Sequence, residues 1–164
     1  MRDGRAVKNR RPGWLAAIAV LSLAAPSGAT AADAYRDQVD VMIDISASTI
    51  QTAGLTSRIW RLEETERCKM QLIYGEAGGI GIEGYREKWR IDIPLGSIDP
   101  NRIESQSSLG ITVRTRDDAQ AFRRKSIAAP GVVEATNSIS LPVRYYASAN
   151  DLTRAVRALA EICK

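Results

Sequence analysis

Two glutamates stand at a spacing that suggests acid–base chemistry. Glu64 and Glu66 are two positions apart, so on a strand they would share one face. A pair of facing carboxyl groups is what glycoside hydrolysis requires. However, Arg61 and Arg67 flank them, and such a charge cluster is typical of a solvated turn. A carboxylate-based hydrolase at Glu64 and Glu66 is therefore an alternative and not the first expectation.

Other catalytic arrangements find little support in the sequence. The chain contains no histidine, which removes Ser-His-Asp and Cys-His machinery and every site that needs imidazole ligands. The segment Gly79–Gly84 matches the letters G-x-G-x-x-G, but a strand-like pattern follows it, whereas the dinucleotide fingerprint must open a helix. Asp40 and Asp44 lack further oxygen ligands at a calcium-binding spacing. We expect no catalytic residue, no metal and no cofactor.

The two cysteines predict a disulfide. Cys68 and Cys163 are the only cysteines of the chain, and an even pair in an oxidising compartment is most simply a bridge. Two buried free thiols are the alternative, because spacing alone does not guarantee bridgeable geometry. Cys163 is next to the last residue, where a bridge would stop a terminal helix from fraying.

A basic region suggests a surface for a partner. Its five cations are Arg114, Arg116, Arg123, Arg124 and Lys125. They could meet an unknown envelope protein or an anionic envelope component. The alternative is an ordinary solvated face, since Asp117 and Asp118 interrupt the run. The segment 117–138 reads as a long irregular loop around a Pro130-Gly131 turn, and long loops in compact domains are often functional.

Four aromatic residues fall within the predicted early strands: Trp60, Tyr74, Tyr85 and Trp89. On an exposed face they could stack on a sugar or on a partner chain. Their alternate spacing favours core packing instead.

Residues 1–31 have the pattern of a cleavable secretory signal. A basic segment precedes the apolar run Leu15–Ala25, and the small triplet Ala29-Thr30-Ala31 follows. The run is too short for a stable transmembrane helix, which needs roughly 20 apolar residues. We expect cleavage after Ala31 and favour the general secretory route over the twin-arginine route. The mature chain would be one domain, 32–164, in the periplasm or outside the cell.

The excess of basic residues, 23 against 19 acidic, belongs to this leader. Its removal leaves equal numbers of basic and acidic residues, so the net charge of the mature chain gives no reason to expect nucleic acid as a partner.

Hydrophobic periodicity then predicts the elements. Alternation predicts strands over 34–47, 85–95, 109–114 and 139–145, with Pro142 placing the last one near a sheet edge. Residues 58–74 read as a hairpin with its tip at Glu63–Glu66, although a helix also fits there. Loops or turns are expected over 50–57, 75–84 and 99–101.

A capped amphipathic helix ends the chain, beginning after Ser148. Its expected apolar stripe is Leu152, Ala155, Val156, Leu159, Ile162 and Cys163. The fold class is α+β: a curved antiparallel sheet of about six strands with this helix packed on it. The order resembles the pleckstrin-homology-like topology, which implies a bent sheet closed by a final helix but implies no ligand.

The sequence therefore predicts a small exported, non-enzymatic domain that binds a partner or has a structural accessory role in the cell envelope. The alternatives are the carboxylate-based hydrolase and a carrier of a small apolar ligand between sheet and helix.

Overall fold

We describe the fold from a computed structural model. It describes residues 30–46, 48–51, 56–78, 84–106, 110–143 and 148–164. Its helices and strands are α1 Ala31–Ser46, β1 Ser48–Gln51, β2 Thr56–Glu66, β3 Lys69–Gly78, β4 Arg86–Pro94, β5 Ile98–Ser105, β6 Gly110–Thr115, β7 Phe122–Ser126, β8 Val133–Thr136, β9 Ser138–Pro142 and α2 Ala149–Ile162.

The first predicted strand is wrong, because residues 34–46 lie in helix α1. The side chains that α1 buries are Tyr35, Val39, Met42 and Ser46, which follow helical spacing. Val41, inward in the strand prediction, is 38% exposed. The apolar residues of this segment fit both the two-residue period of a strand and the 3.6-residue period of a helix. The structure buries the helical set.

A capping box starts α1. The Thr30 hydroxyl accepts the Asp33 backbone N–H at 3.2 Å, and the Asp33 carboxylate accepts the Thr30 backbone N–H at 2.9 Å. These reciprocal bonds satisfy backbone N–H groups that have no partner within the helix. The cleavage expected after Ala31 would remove Thr30, so this cap belongs to the chain before cleavage.

The hairpin predicted over 58–74 is confirmed, but its tip is not at Glu63–Glu66. Strands β2 and β3 pair antiparallel, and the glutamates lie within β2. The chain turns at Arg67 and Cys68, where Cys68 adopts the left-handed φ of 64°. The tip therefore places a cysteine at the very end of the hairpin.

Two antiparallel sheets contain the strands. The larger has the order β1-β2-β3-β4-β7-β8, and the smaller has the order β5-β6-β9. The strands predicted near β4, β6 and β9 are confirmed, and β9 is an edge strand as Pro142 indicates. The expectations for loops contain three errors.

First, the turn expected at 99–101 is part of β5. Second, the segment 117–138 is not irregular: it contains β7 and β8, which form a hairpin around the confirmed Pro130-Gly131 turn. Third, β1 and the start of β2 occupy part of 50–57, and β3 continues to Gly78. Residues 79–83 of the glycine-rich segment lie outside the described residues.

The final helix and its inward face are confirmed. The Ser148 hydroxyl accepts the Asn150 backbone N–H and caps α2. The buried residues of α2 are Leu152, Ala155, Val156, Leu159 and Ala160. Ile162, expected in the apolar stripe, is the last residue of α2 and is 40% exposed.

A disulfide joins the hairpin tip to the end of α2. Cys68 and Cys163 are bonded, with their Cα atoms 5.5 Å apart across a sequence separation of 95. The backbone N–H of Leu95 donates to the Cys68 carbonyl at 2.9 Å. A Cβ at Gly96 would lie 2.3 Å from the Cys163 carbonyl oxygen, so glycine permits this close approach.

One core cluster contains residues from both sheets and both helices. The fold is α+β, as predicted, with two helices and nine strands in the described residues instead of one helix and about six. The added helix α1 packs against α2 and β2. The resemblance to the pleckstrin-homology-like topology stays a prediction.

Candidate functional site

The five cations predicted as a partner surface do not form one patch. Arg116 donates to the carbonyls of Gly96 and Ala160, at 3.3 and 3.2 Å. It thus stabilises the C-terminal end of α2, where cations are favoured. Arg114, on β6, pairs with Glu104 at 3.7 Å. These two arginines lie in and next to the smaller sheet, away from the three cations of β7.

Strand β7 presents its cations on two faces. Alternation places Arg123 and Lys125 on one face and Arg124 on the other. Lys125 lies 2.5 Å from Asp92. Burial alone would raise the pKa of the Asp92 carboxyl, but hydrogen bonds from Lys125 and Gln71 outweigh it and the pKa is lowered.

The other two β7 cations differ in their surroundings. Arg124 lies 3.5 Å from Glu134 on β8, and its guanidinium is 5.0 Å from the centre of the Trp89 ring. Arg123 is exposed and forms no ion pair in the described residues, although Asp92 lies opposite it on β4. Arg123 is therefore the β7 cation best placed for an anionic group from outside.

The β7–β8 hairpin also exposes large apolar side chains, which the sequence reading missed. Ile127 is 45% exposed, Val132 53% and Val133 48%. We call these three residues the apolar tip. The remaining large hydrophobic side chains exposed in the described ranges are Val41 and Ile162, one on each helix. Apolar residues on both sides of a Pro-Gly turn were the signal that could have revealed this tip.

A row of aromatic rings crosses the larger sheet towards this hairpin. The Trp60 and Tyr74 rings are 4.8 Å apart, and the Tyr74 and Trp89 rings are stacked at 4.9 Å. All three side chains are half-buried, and Trp60 and Trp89 pack against the core. Tyr85 lies elsewhere, with its ring over Gly75. Core packing was expected for all four aromatic residues and is confirmed for Trp60 and Trp89, and Trp89 forms the end of the row at β7.

Tyr74, in the middle of this aromatic row, leads to a prediction about how protein stability depends on pH. Burial, together with the hydrogen bond that Tyr74 donates to Glu76 at 2.5 Å, raises the pKa of Tyr74 from 10.0 to about 12. The folded phenol therefore keeps its proton at pH values where the unfolded phenol loses it. Stability should fall as pH rises from about 10 towards 12.

Phenolate absorbance will measure this shift, as the difference between the wild-type protein and Tyr74→Phe. The Glu76→Gln variant should move the Tyr74 transition part of the way back towards 10.0. A wild-type Tyr74 that titrates with an ordinary midpoint would contradict the prediction.

A small groove lies where the aromatic row meets the hairpin. It has a volume of about 150 Å³ and is lined by Trp89, Arg124, Ser126, Val132 and Glu134. The Trp89 ring and Val132 supply apolar walls, and the Arg124–Glu134 pair forms its polar side.

The carboxylates of the hydrolase alternative hold structural contacts. Glu64 accepts the Tyr35 hydroxyl at 2.6 Å and Arg36 at 3.1 Å, which connects α1 to β2. The same Tyr35 hydroxyl accepts the Cys68 backbone N–H at 2.7 Å. Burial is the main cause that raises the pKa of Tyr35, and the hydrogen bond to Glu64 raises it further. Glu66 is exposed and pairs with Lys69 at 2.7 Å.

The calcium candidates lie on helix α1. Asp40 and Asp44 are both exposed and one helical turn apart. Within the described ranges, no group of three or more Asp, Glu, Cys or His side chains is placed to hold a metal ion.

The disulfide bears on the compartment in which the chain is found. The Cys68–Cys163 disulfide fits an oxidising, non-cytoplasmic environment. In the described part of the chain, no helix has both the length and the apolar character needed to cross a membrane.

No protein-family model, curated protein or solved structure matches this chain. Its function must therefore be argued from its own surface.

Proposed function

We propose that this protein is an exported, non-enzymatic binding domain of the cell envelope that holds its partner through the β7–β8 hairpin. The observation that carries the proposal is the apolar tip, Ile127, Val132 and Val133. All three lie on one hairpin, with Val132 on the face of Arg124 and Val133 on the face of Lys125. Exposed apolar side chains with a polar rim are typical of interaction sites. Here the rim is supplied by Arg123, Arg124 and their neighbours.

The chemistry of the hairpin indicates a protein partner with apolar and acidic side chains. Arg124 and Lys125 already form ion pairs within the domain. Arg123 forms none in the described residues, because Asp92, which lies opposite it on β4, pairs with Lys125. Apolar contacts would supply most of the binding free energy, because exposed charge pairs contribute little. Arg123 would mainly orient the partner.

Export is supported by the leader pattern of residues 1–31 and by the disulfide. A bridge across 95 residues persists only where thiols are not kept reduced. A periplasmic location through the general secretory route fits both observations.

Site-specific photo-crosslinking tests the binding surface. A photoreactive residue replaces Val133 in the full chain, produced with its leader in the cell that makes it, and Val41 is the matched control. We expect one discrete crosslinked product from Val133 and none of that size from Val41. Arg123→Glu should reduce the yield while the melting temperature stays unchanged. Absence of a product from Val133, or the same product from both positions, would refute the proposal.

A further inference from the structure

The free edge of strand β8 exposes hydrogen-bonding groups of the backbone. In the described residues, β8 pairs only with β7. The Ile127 backbone N–H donates to Lys88 on the β4 side. The backbone N–H and C=O groups of successive residues point to opposite sides of a strand. Because Ile127 points towards β4, the backbone groups of the even-numbered residues of β7 point towards β8. Their partners Glu134 and Thr136 face β7, and the backbone groups of Val133 and Ala135 therefore point outwards.

The other strand edges with described side chains are protected. Strand β5 contains Pro100 and a register irregularity, and Arg157 of α2 donates to its Pro100 carbonyl at 3.0 Å. Strand β9 ends at Pro142. Proline, irregular register and covering elements are the usual means of blocking edge pairing.

Strand β8 lacks these devices. It has no proline and no break in register with β7, and its one charge, Glu134, pairs with Arg124. An edge of this kind is a template for another strand.

The groove beside Trp89 lies on one face of this edge. Its lining side chains Arg124, Ser126, Val132 and Glu134 belong to or adjoin β7 and β8. A strand added to β8 would present alternate side chains on this face. One of them would reach the groove of about 150 Å³.

The opposite face carries Arg123, which is paired across the ladder with the small Ala135. A side chain as long as arginine can extend over an alanine towards the next strand. The carboxylate opposite Arg123 on β4, Asp92, pairs with Lys125. An acidic residue of the added strand on this face would give Arg123 an ion pair of its own.

We propose that the partner binds as an additional β-strand on the free edge of β8, with an apolar side chain in the groove and an acidic side chain at Arg123. The proposal rests on the proposed function and specifies its partner as an extended segment with alternating apolar and acidic residues. Main-chain hydrogen bonds then hold the segment, and the groove selects its side chains.

A synthetic peptide tests this mode directly. The probe is the acetylated and amidated heptapeptide Thr-Glu-Leu-Glu-Leu-Glu-Thr, and a peptide of the same composition without alternation is its control. Titration into the disulfide-bonded protein is followed by Trp fluorescence and by amide NMR. We expect the backbone amides of Val133 and Ala135 to shift and to exchange more slowly, and the control peptide to leave them unchanged.

Proline at position 135 separates strand pairing from ordinary surface contact. Ala135→Pro removes an outward N–H that β7 does not use, so the fold should tolerate it. Loss of that bond should weaken peptide binding about tenfold, whereas Ala135→Ser keeps the N–H and should bind normally. If Ala135→Pro does not fold, strand pairing is tested with Val133→Pro and with the exchange rates of the Val133 and Ala135 amides in the wild-type protein.

Three results would overturn the proposal. They are equal peptide affinity in a folded Ala135→Pro protein, no binding at millimolar peptide, and self-association through β8 seen by sedimentation, which would make a second copy the occupant. A Val133 crosslink that persists in Ala135→Pro would leave the proposed function standing and reject strand addition alone. If the Val133 crosslink does not form even when Ala135 is unchanged, the proposed function itself is rejected.

Discussion

Replacing Cys68 and Cys163 together with serine should lower the free energy of unfolding by about 4–5 kcal/mol. The bridge closes a loop of 95 residues, and a loop of roughly this length gives that value in the chain-entropy model. The melting temperature should fall on the order of 10–20 °C for a domain of this size. Urea unfolding of the oxidised protein and of the serine variant measures the difference.

Reduction of the wild-type protein is the independent control for this result. It should give the same loss as the serine substitutions, because both remove the same crosslink. In protein recovered from the cells that make it, the thiols should accept an alkylating reagent only after reduction and denaturation. A loss below about 1 kcal/mol would mean that the crosslink constrains little in the unfolded chain.

The consequences of losing the bridge should concentrate at one end of the domain. The Cys68 backbone N–H bonds the Tyr35 hydroxyl, and the Cys68 carbonyl accepts the Leu95 backbone N–H. The hairpin tip thus holds α1, the start of the 3-10 turn after β4 and the end of α2. Hydrogen exchange should increase first in these segments.

Phe122→Ala should destabilise the protein by about 3–5 kcal/mol, the usual cost of truncating a buried phenylalanine. Phe122 is the only phenylalanine of the chain and is fully buried at the start of β7. It anchors the β7–β8 hairpin to the core, so the variant should also weaken the crosslink from Val133. Thermal and urea unfolding measure the first effect, and crosslinking yield measures the second.

Two variants provide the controls for Phe122. Phe122→Leu keeps most of the apolar volume and should cost clearly less than the alanine variant. Val133→Ala alters an exposed side chain of the same hairpin and should change stability by less than about 0.5 kcal/mol. Equal losses in Phe122→Ala and Val133→Ala would show that the hairpin is not held by its buried ring.

Local patterns were sufficient for much of the fold. Apolar and polar residues alternate along strands β4, β6 and β9. The apolar face of each strand, which is the face to be buried, can therefore be identified from the sequence alone. Helix α2 carries both its cap at Ser148 and its apolar stripe in the sequence. The disulfide followed from cysteine number and compartment alone.

Segment 34–46 shows where local pattern failed. Val39, Val41, Ile43 and Ile45 alternate, but Val39 and Met42 also lie on one helical face. Both periods were available, and packing of α1 against α2 and β2 selected the helix. The capping bonds between Thr30 and Asp33 support the same choice.

The candidate site was predictable only in part. The sequence shows the cations of β7 as a run of charge. Whether each cation is available to bind a partner depends on whether it already forms an ion pair within the domain. Asp92 pairs with Lys125 from a strand distant in sequence, and Glu134 pairs with Arg124 across the hairpin. Arg123 is left as the β7 cation without an ion pair in the described residues. No local pattern shows such pairing.

Residue type and short-range periodicity are enough to predict the cysteine pair, the strands with one apolar face, the final helix and the α+β class. Three other features required the folded domain: the helix over 34–46, the hairpin within 117–138, and the open edge of β8 next to the Trp89 groove. These features depend on which segments meet across the chain. Burial and pairing between distant residues outweigh local preference, so they emerge only when the whole domain is assembled.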